Sequence, residues 1–555
     1  MDISKLNSLV ELYFKKTENI DGKRPFLKWL KPNKPTYNWE DITQRIYKLT
    51  AKIKSLIKKG DRCLILSENR PYWMMTDIAI MNAGGISVPI FTTYSANDYE
   101  YILNDCKPSL IFVSNQDHFN KIKKFINKDV KKIISFEKID TDSLLIEEIL
   151  DKEINKKIIN KNLKRNMPAC IIYTSGTSGN PKGVVLSHGG ILSNCEGAVE
   201  LLKTLIDKKN PVFLTWLPLS HSYEHTVQFI QIIVGAKVFY AESLEKLISN
   251  MGVAKPTIMT AVPRFYQNLF TKINMNFEKQ SGLKRKLISQ TLNLGKKILK
   301  KEKLSLGEKI MNFLCENLVR KKIRNQFGGN LQAFVSGGGA LDQNIGEFLN
   351  AVGLPTLQGY GLTEASPVVS CNLPDLVKVE SVGPPFRTNK VKIAEDGEIL
   401  IKGENVMLGY WNLKEETEKV IKDGWLYTGD IGELDHNNFL KAGQVLRIPS
   451  SSDIGEETPS DAVSEVWMQH QEFEKYKSGG VAQLDATHRQ RSETSEDVGV
   501  DDGELRLLAA NRSRGQRAGD SDARVTDLEN ELAITREDLD RARRSNSELN
   551  VQLDD

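Results

Sequence analysis

Short apolar runs alternate with longer segments of helical period along the first quarter of the chain. RCLILSEN (62–69), ISVPIF (86–91) and SLIFVSN (109–115) are strand-like, while PYWMMTDIAIMNAG and SANDYEYILNDC between them repeat with a helical period. That order predicts β-α-β-α-β with parallel strands covered by helices. The alternation returns at PTIMTAVP, LQAFVSGG and GLPTLQGY, so a large α/β body is expected over residues 1–376. VQFIQIIVGAKVFY (227–240) is too short to cross a membrane and is expected in the core. Residues 282–329 place apolar side chains at helical spacing among many lysines, which predicts a solvated helical hairpin with one face on the core. A basic amphipathic helix of this kind can also rest on an anionic membrane surface. From about residue 377 the runs shorten, as in KVKIAEDGEILIKG and WLYTGDIGELDHNNFLK, with turn pairs at Asp396-Gly397 and Asp423-Gly424; a small β subdomain is expected over 377–447.

The pattern then lapses. Residues 448–523 are polar, acidic and poor in aromatics, and are expected to be a disordered linker. Leu528, Leu532, Leu539, Ala542 and Leu549 fall on a and d positions of one heptad register, which predicts a coiled-coil helix over 524–553 and self-association through it. Charge divides at the same place. The net +4 of the 555 residues conceals −12 over 448–555, where 13 Lys and Arg face 25 Asp and Glu, and +16 over the rest. The hydrophobic share of 40% and charged share of 27% are those of a soluble globular protein. Neither a secretory signal at the N-terminus nor a membrane-length apolar run is present in the sequence, and the six cysteines are scattered. A reducing cytoplasm is expected, with room for peripheral contact at the inner membrane surface through the basic helices. Nucleic acid is not an expected partner, because the lysines are dispersed without aromatic interleaving.

The chemistry concentrates in YTSGTSGNPKGV (173–184), which follows the apolar run ACII. Small residues let backbone N–H groups and hydroxyls close around phosphate oxygens, and Lys182 adds positive charge. A flexible surface turn is the plain alternative, disfavoured by three glycines, several hydroxyls and Pro-Lys-Gly after a buried strand. The Walker A spacing is absent.

This segment resembles the phosphate loop of the adenylate-forming superfamily. LPLSHSYEH (217–225), SGGGALD (336–342), QGYGLTEASPVVS (358–370), SVGPPF (381–386), GEILIKGENVMLGYW (398–411) and GWLYTGDIGELD (424–435) resemble its other motifs, in order, across residues 1–441. LPLSH with a following Glu, VPRFYQNLF and GYGLTEASPVVS are most similar to the long-chain fatty acyl-CoA synthetases. The resemblance implies a fatty acid, ATP and CoA as substrates and Mg²⁺ as the metal: the carboxylate attacks the α-phosphorus to give acyl-AMP and pyrophosphate, and the CoA thiol then displaces AMP. It implies that Thr174, Ser175, Gly176, Thr177, Ser178, Gly179 and Lys182 hold the β and γ phosphates, with Thr174 and Glu364 reaching Mg²⁺ and Thr363 beside the α-phosphate. Gly337, Gly338, Gly339, Gln358, Gly359, Tyr360 and Gly361 are implied around the adenine, with Tyr360 stacked on it and Gly359 permitting close approach. Asp430 suits the ribose hydroxyls, and His221 the acyl carboxylate. Lys182, His221, Thr363 and Glu364 are the implied catalytic set.

The resemblance stops at FLKAGQVLRIPSSS (439–452). The family continues into an Arg-Lys-Lys-Asp-Leu-like hinge and a mobile C-terminal domain that supplies a lysine for adenylation. Here 108 residues follow Arg447 with only Lys475 and Lys477 among them, and their charge is carried by arginine rather than lysine. A join between sequences of different origin is expected there, and no C-terminal catalytic residue transfers. Two functions are carried forward: an ATP-dependent ligase impaired by loss of the mobile half, and a catalytically dead or ATP-binding-only chain that associates through its coiled coil.

Overall fold

The computed structural model describes residues 1–153, 156–174, 180–206 and 211–443. The expected linker over 448–523, the coiled coil over 524–553 and the place of the hinge lie outside them.

Two eight-stranded sheets and a small antiparallel sheet make up this part. In the first, Arg62–Leu66 lies between Ile86–Ile90 and Leu110–Val113, all parallel, and Lys132–Ser135 extends the row. Beyond Ile86–Ile90 come Pro168–Thr174 and then, antiparallel to it, Lys182–Ser187. In the second sheet Val212–Thr215, Ile258–Ala261, Ala333–Ser336 and Thr356–Gly361 run parallel, and Val368–Cys371 returns antiparallel on the edge. The small sheet contains Asn389–Ile393, Glu398–Gly403, Trp425–Leu434 and Leu440–Gly443. The expected α/β body with a β subdomain is therefore the fold observed.

Local chemistry sets the elements. Ala96–Cys106 opens with a capping box in which Ser95 and Asp98 exchange side-chain and backbone bonds. Pro71–Ala83 has proline in its first turn and ends on Gly84 at φ 89°, a left-handed position that glycine adopts without strain. The same helix is buried on every side because it packs between strands of both large sheets.

The helix Ser222–Val234 is buried in the same way from Ser222 to Ile232. Burial disfavours the His225 cation, yet the Asp77 carboxylate on the neighbouring helix outweighs that penalty and raises its pKa to about 10. His225 Nε2 lies 2.9 Å from Asp77 Oδ2, which also accepts from Gln228 at 3.1 Å. Residues 282–329 form the expected basic hairpin, Gly282–Leu299 followed by Leu306–Cys315 and its continuation to Gln326. Among the described residues no helix is long and apolar enough to cross a membrane.

Removing one partner of a buried ion pair strands the other, so Asp77→Ala is expected to destabilise the fold by about 3–5 kcal/mol in denaturant unfolding. Because the pKa of His225 is raised in the folded chain, the pair's contribution is complete below the ordinary imidazole value near 6.5 and is lost as pH climbs toward about 10. The stability gap between the native chain and Asp77→Asn should narrow over that window.

Candidate functional site

The strand Ala333–Ser336 runs out into Gly337, Gly338 and Gly339 beside Thr356–Gly361, and both end on the wall of a cavity of about 440 Å³. Gly338 has φ 74°, so the turn off the strand requires a residue without a side chain. The start of Ser222–Val234 also lines it, as do Thr428 and Asp430 from Trp425–Leu434. His221, Gly337, Gly338, Gly339, Gln358, Gly359, Tyr360, Gly361, Thr363, Glu364 and Asp430 thus converge on one cavity.

Lys182 and Thr174 do not line it. They face each other at the loop end of the hairpin formed by Pro168–Thr174 and Lys182–Ser187, with the Thr174 hydroxyl 3.5 Å from the Lys182 carbonyl that accepts from it. Ser175, Gly176, Thr177, Ser178 and Gly179, which join the two strands, lie outside the described residues. Tyr410 links the hairpin to the cavity. Its hydroxyl donates to Glu364 Oε1 at 2.9 Å, and Lys182 Nζ stands 5.2 Å from its ring centre. Lys182 itself donates to Glu416 Oε2 at 2.7 Å, and this bond, with a second from Lys419 to Oε1 at 2.6 Å, holds the Glu416 carboxyl down at about 2.

His221 caps the helix Ser222–Val234, its Nδ1 accepting the Tyr223 N–H at 3.1 Å. That bond leaves the proton of the neutral ring on Nε2. Surrounding protein disfavours the cation and lowers the His221 pKa, so the ring is a neutral donor at neutral pH. The hydroxyls of Ser222 and Thr363 lie 2.9 Å apart, both buried. Asp430 Oδ2 accepts from the Tyr360 hydroxyl at 2.7 Å; burial raises the carboxyl's pKa, and this bond partly offsets the rise. Glu398 Oε1 accepts the Gly429 N–H at 2.7 Å and so shapes the turn that presents Asp430.

The sequence alone did not single out Tyr410, Glu416, Ser222 or Thr428. Tyr410, Ser222 and Thr428 stand inside quoted motifs, so position within a motif was an available signal, whereas nothing local marks Glu416. The glycine at 359 has a second reason beyond close approach to a ligand: a Cβ there would lie 3.0 Å from the Ser370 carbonyl of the adjacent strand. Among the described residues no group of three or more His, Cys, Asp or Glu could hold a metal ion. Glu364 is instead a single carboxylate on the cavity wall, a donor that suits a hard cation completed by phosphate oxygens and water.

The sequence profile of the family described as AMP-binding enzyme matches residues 14–411. The chain belongs to the AMP-binding enzyme family. It is 29% identical to the long-chain-fatty-acid--CoA ligase FadD15 of Mycobacterium bovis over 72% of this chain and 69% of that protein. It is 30% identical to fatty acyl-CoA synthetase A of Dictyostelium discoideum over 76% of this chain and 65% of that one. The chain therefore spans about two thirds of the length of these relatives. Its fold matches ATP-bound MatB from Rhodopseudomonas palustris with a TM-score of 0.61 at 20% identity, covering 79% of this chain and 78% of that one. It also matches the N-terminal domain of FACL13 from Mycobacterium tuberculosis with a TM-score of 0.62 at 19% identity, covering 79% of this chain and all of that domain.

In this AMP-binding enzyme Glu416 occupies the cation of the conspicuous lysine. Glu416→Gln removes the competitor, and ATP·Mg is expected to bind about two- to fivefold tighter by calorimetry, the worth of a partly exposed ion pair. Equal affinities would show that Glu416 and nucleotide do not compete for Lys182.

Proposed function

We propose that this chain activates a long-chain fatty acid with ATP, forming acyl-AMP and pyrophosphate, and transfers the acyl group to CoA with release of AMP. One observation carries the reading. A second, small pocket, lined mainly by apolar side chains with Asn194, Thr226 and Thr260 among them, shares Tyr223, Val335, Val368 and Cys371 with the first cavity, and Ala198, Leu202, Phe213, Val227, Ile230 and Phe386 form its apolar walls. A polar chamber backed by an apolar one suits a molecule with a carboxylate at one end and a hydrocarbon at the other.

The chain's own groups have these parts in the reading. Asp430, presented by its turn, accepts from the ribose hydroxyls, and Tyr360 and the Gly337–Gly339 segment border the adenine. Lys182, once parted from Glu416, meets the β and γ phosphates together with Thr174 and residues 175–179. His221 donates from Nε2 to the carboxylate, holding it in line with the α-phosphorus, where Thr363 stands. Glu364 and Thr174 would hold Mg²⁺, which neutralises phosphate charge when bound. The attacking carboxylate oxygen forms the new P–O bond as the bond to pyrophosphate breaks. In the second step the thiol sulfur bonds the acyl carbon, the bond from that carbon to the AMP phosphate oxygen breaks with its electron pair leaving on AMP, and the thiol proton passes to solvent. Positioning and charge neutralisation supply the rate in the first step. Without a recognisable hinge, adenylation is expected to be weak and thioester formation weaker. A fatty acid partitions into membranes, so supply from a membrane surface suits this substrate.

Labelled pyrophosphate should exchange into ATP only when a long-chain acid and Mg²⁺ are present. Lys182→Ala and Glu364→Ala should each reduce that exchange about a hundredfold or more. A folded chain that shows no exchange with acids of any length would overturn the reading.

A further inference from the structure

The hairpin of residues 282–329 holds one feature that neither the core nor the cavity uses. Cys315, Val319 and Ile323 turn inward along Leu306–Cys315 and its continuation. The opposite arc carries Leu306, Ile310, Phe313, Leu314 and Leu318, spaced i, i+4, i+7, i+8 and i+12 on a helical run. Leu306 is 77% exposed, Phe313 67% and Ile310 60%, so large apolar side chains lie open on the face pointing away from the core. Side chains of this size are a liability in water unless something covers them.

The surroundings narrow the occupant. Residues 282–329 hold 13 Lys and Arg against three Glu. Lys296, Lys297, Arg320 and Arg324 are ion-paired within the fold. Lys300, Lys301 and Lys303 in the hairpin turn, and Lys309, Lys321 and Lys322 along the outer helix, are exposed and form no ion pair among the described residues. Two copies of such a face would repel each other. An apolar ridge edged by unpaired lysines instead matches a surface with anionic groups outside and hydrocarbon immediately beneath.

We propose that the outer face of Leu306–Leu318 docks on an anionic lipid bilayer, Phe313 and Ile310 entering the acyl boundary and the flanking lysines meeting the headgroups. The docking rests on the fatty-acid reading for its purpose, since a membrane concentrates that substrate, and on its own geometry for its occurrence.

Co-flotation of the full chain with vesicles, in the absence of nucleotide, fatty acid and CoA, separates the two. Vesicles of phosphatidylcholine with about one third phosphatidylserine should carry the protein, vesicles of phosphatidylcholine alone should not, and rising salt should release it. The double variant Ile310→Asp, Phe313→Asp should lose about tenfold or more of the partitioning. Lys300→Gln with Lys301→Gln and Lys303→Gln should weaken binding to anionic vesicles without restoring it to neutral ones. Both variants alter exposed positions, and their unfolding midpoints should match the parent. No flotation of the parent, or equal flotation of the double variant, overturns the proposal. So does a concentration-dependent mass in light scattering that the double variant abolishes, which would make the occupant a second copy. A chain inactive in pyrophosphate exchange can still pass this test, and an active one can fail it.

Discussion

A helix enclosed on every side must find partners for the polar groups it carries inward, and Ser222–Val234 does so for most of them, Glu224 Oε1 and Gln228 Oε1 being buried without a partner among the described residues. His225 and Gln228 bond Asp77, Gln231 bonds Thr215, Thr226 bonds the Ser366 carbonyl, and Glu224 accepts from Thr260 at 2.7 Å. Burial lifts the Glu224 carboxyl to about 7, with the hydroxyls of Thr260 and Thr215 opposing the rise. These bonds tie the helix to a helix of the first sheet, to strands of the second and to the loop after Glu364. Its first turn then brings His221 and Ser222 to the cavity, while Thr226, Val227 and Ile230 face the apolar pocket. Asn69 adds a brace from outside, donating to the Leu217 carbonyl at 2.6 Å and accepting from the Leu219 N–H at 3.0 Å, just before the histidine cap.

The same economy governs the cavity. Lys182 is paired with Glu416, Glu364 with the Tyr410 hydroxyl, and Asp430 with the Tyr360 hydroxyl. An unpaired charge in a half-enclosed site is costly, so each charged group has a partner already in place. In the proposed function, a ligand bearing phosphates and ribose would exchange these partners for its own. Glu416 and Tyr410 stand on one short segment that also pairs with the strand of Lys182, so the charges of Lys182 and Glu364 are held by the same piece of chain.

Much of this was legible from residues alone. The strands and helices of 62–115 followed from period, and so did the basic hairpin, because each element has a strongly patterned sequence. The members of the cavity followed from motifs whose order survives in the chain, from His221 to Asp430. What could not be read was pairing across distance. Nothing near Glu416 announces Lys182, 234 positions away, and nothing near Asp77 announces His225, 148 positions away. Such contacts are set by the meeting of sheets rather than by local pattern. The open face of Leu306–Leu318 was hidden for a related reason: helical spacing shows that apolar residues align, and only the packed structure tells which of two apolar arcs faces inward.

The central claim is that two pockets with a shared wall take the two ends of one ligand, adenosine in the first and a hydrocarbon in the second. A crystal structure of the full chain with a non-hydrolysable long-chain acyl-sulfamoyl adenosine tests it most directly. The account predicts ribose hydroxyls on Asp430, the adenine beside Tyr360 and Gly337–Gly339, His221 Nε2 directed at the acyl carbonyl, and the chain passing Tyr223 into the pocket walled by Val227, Ile230 and Phe386. Adenosine bound elsewhere, or an acyl chain that leaves this pocket empty, would contradict it.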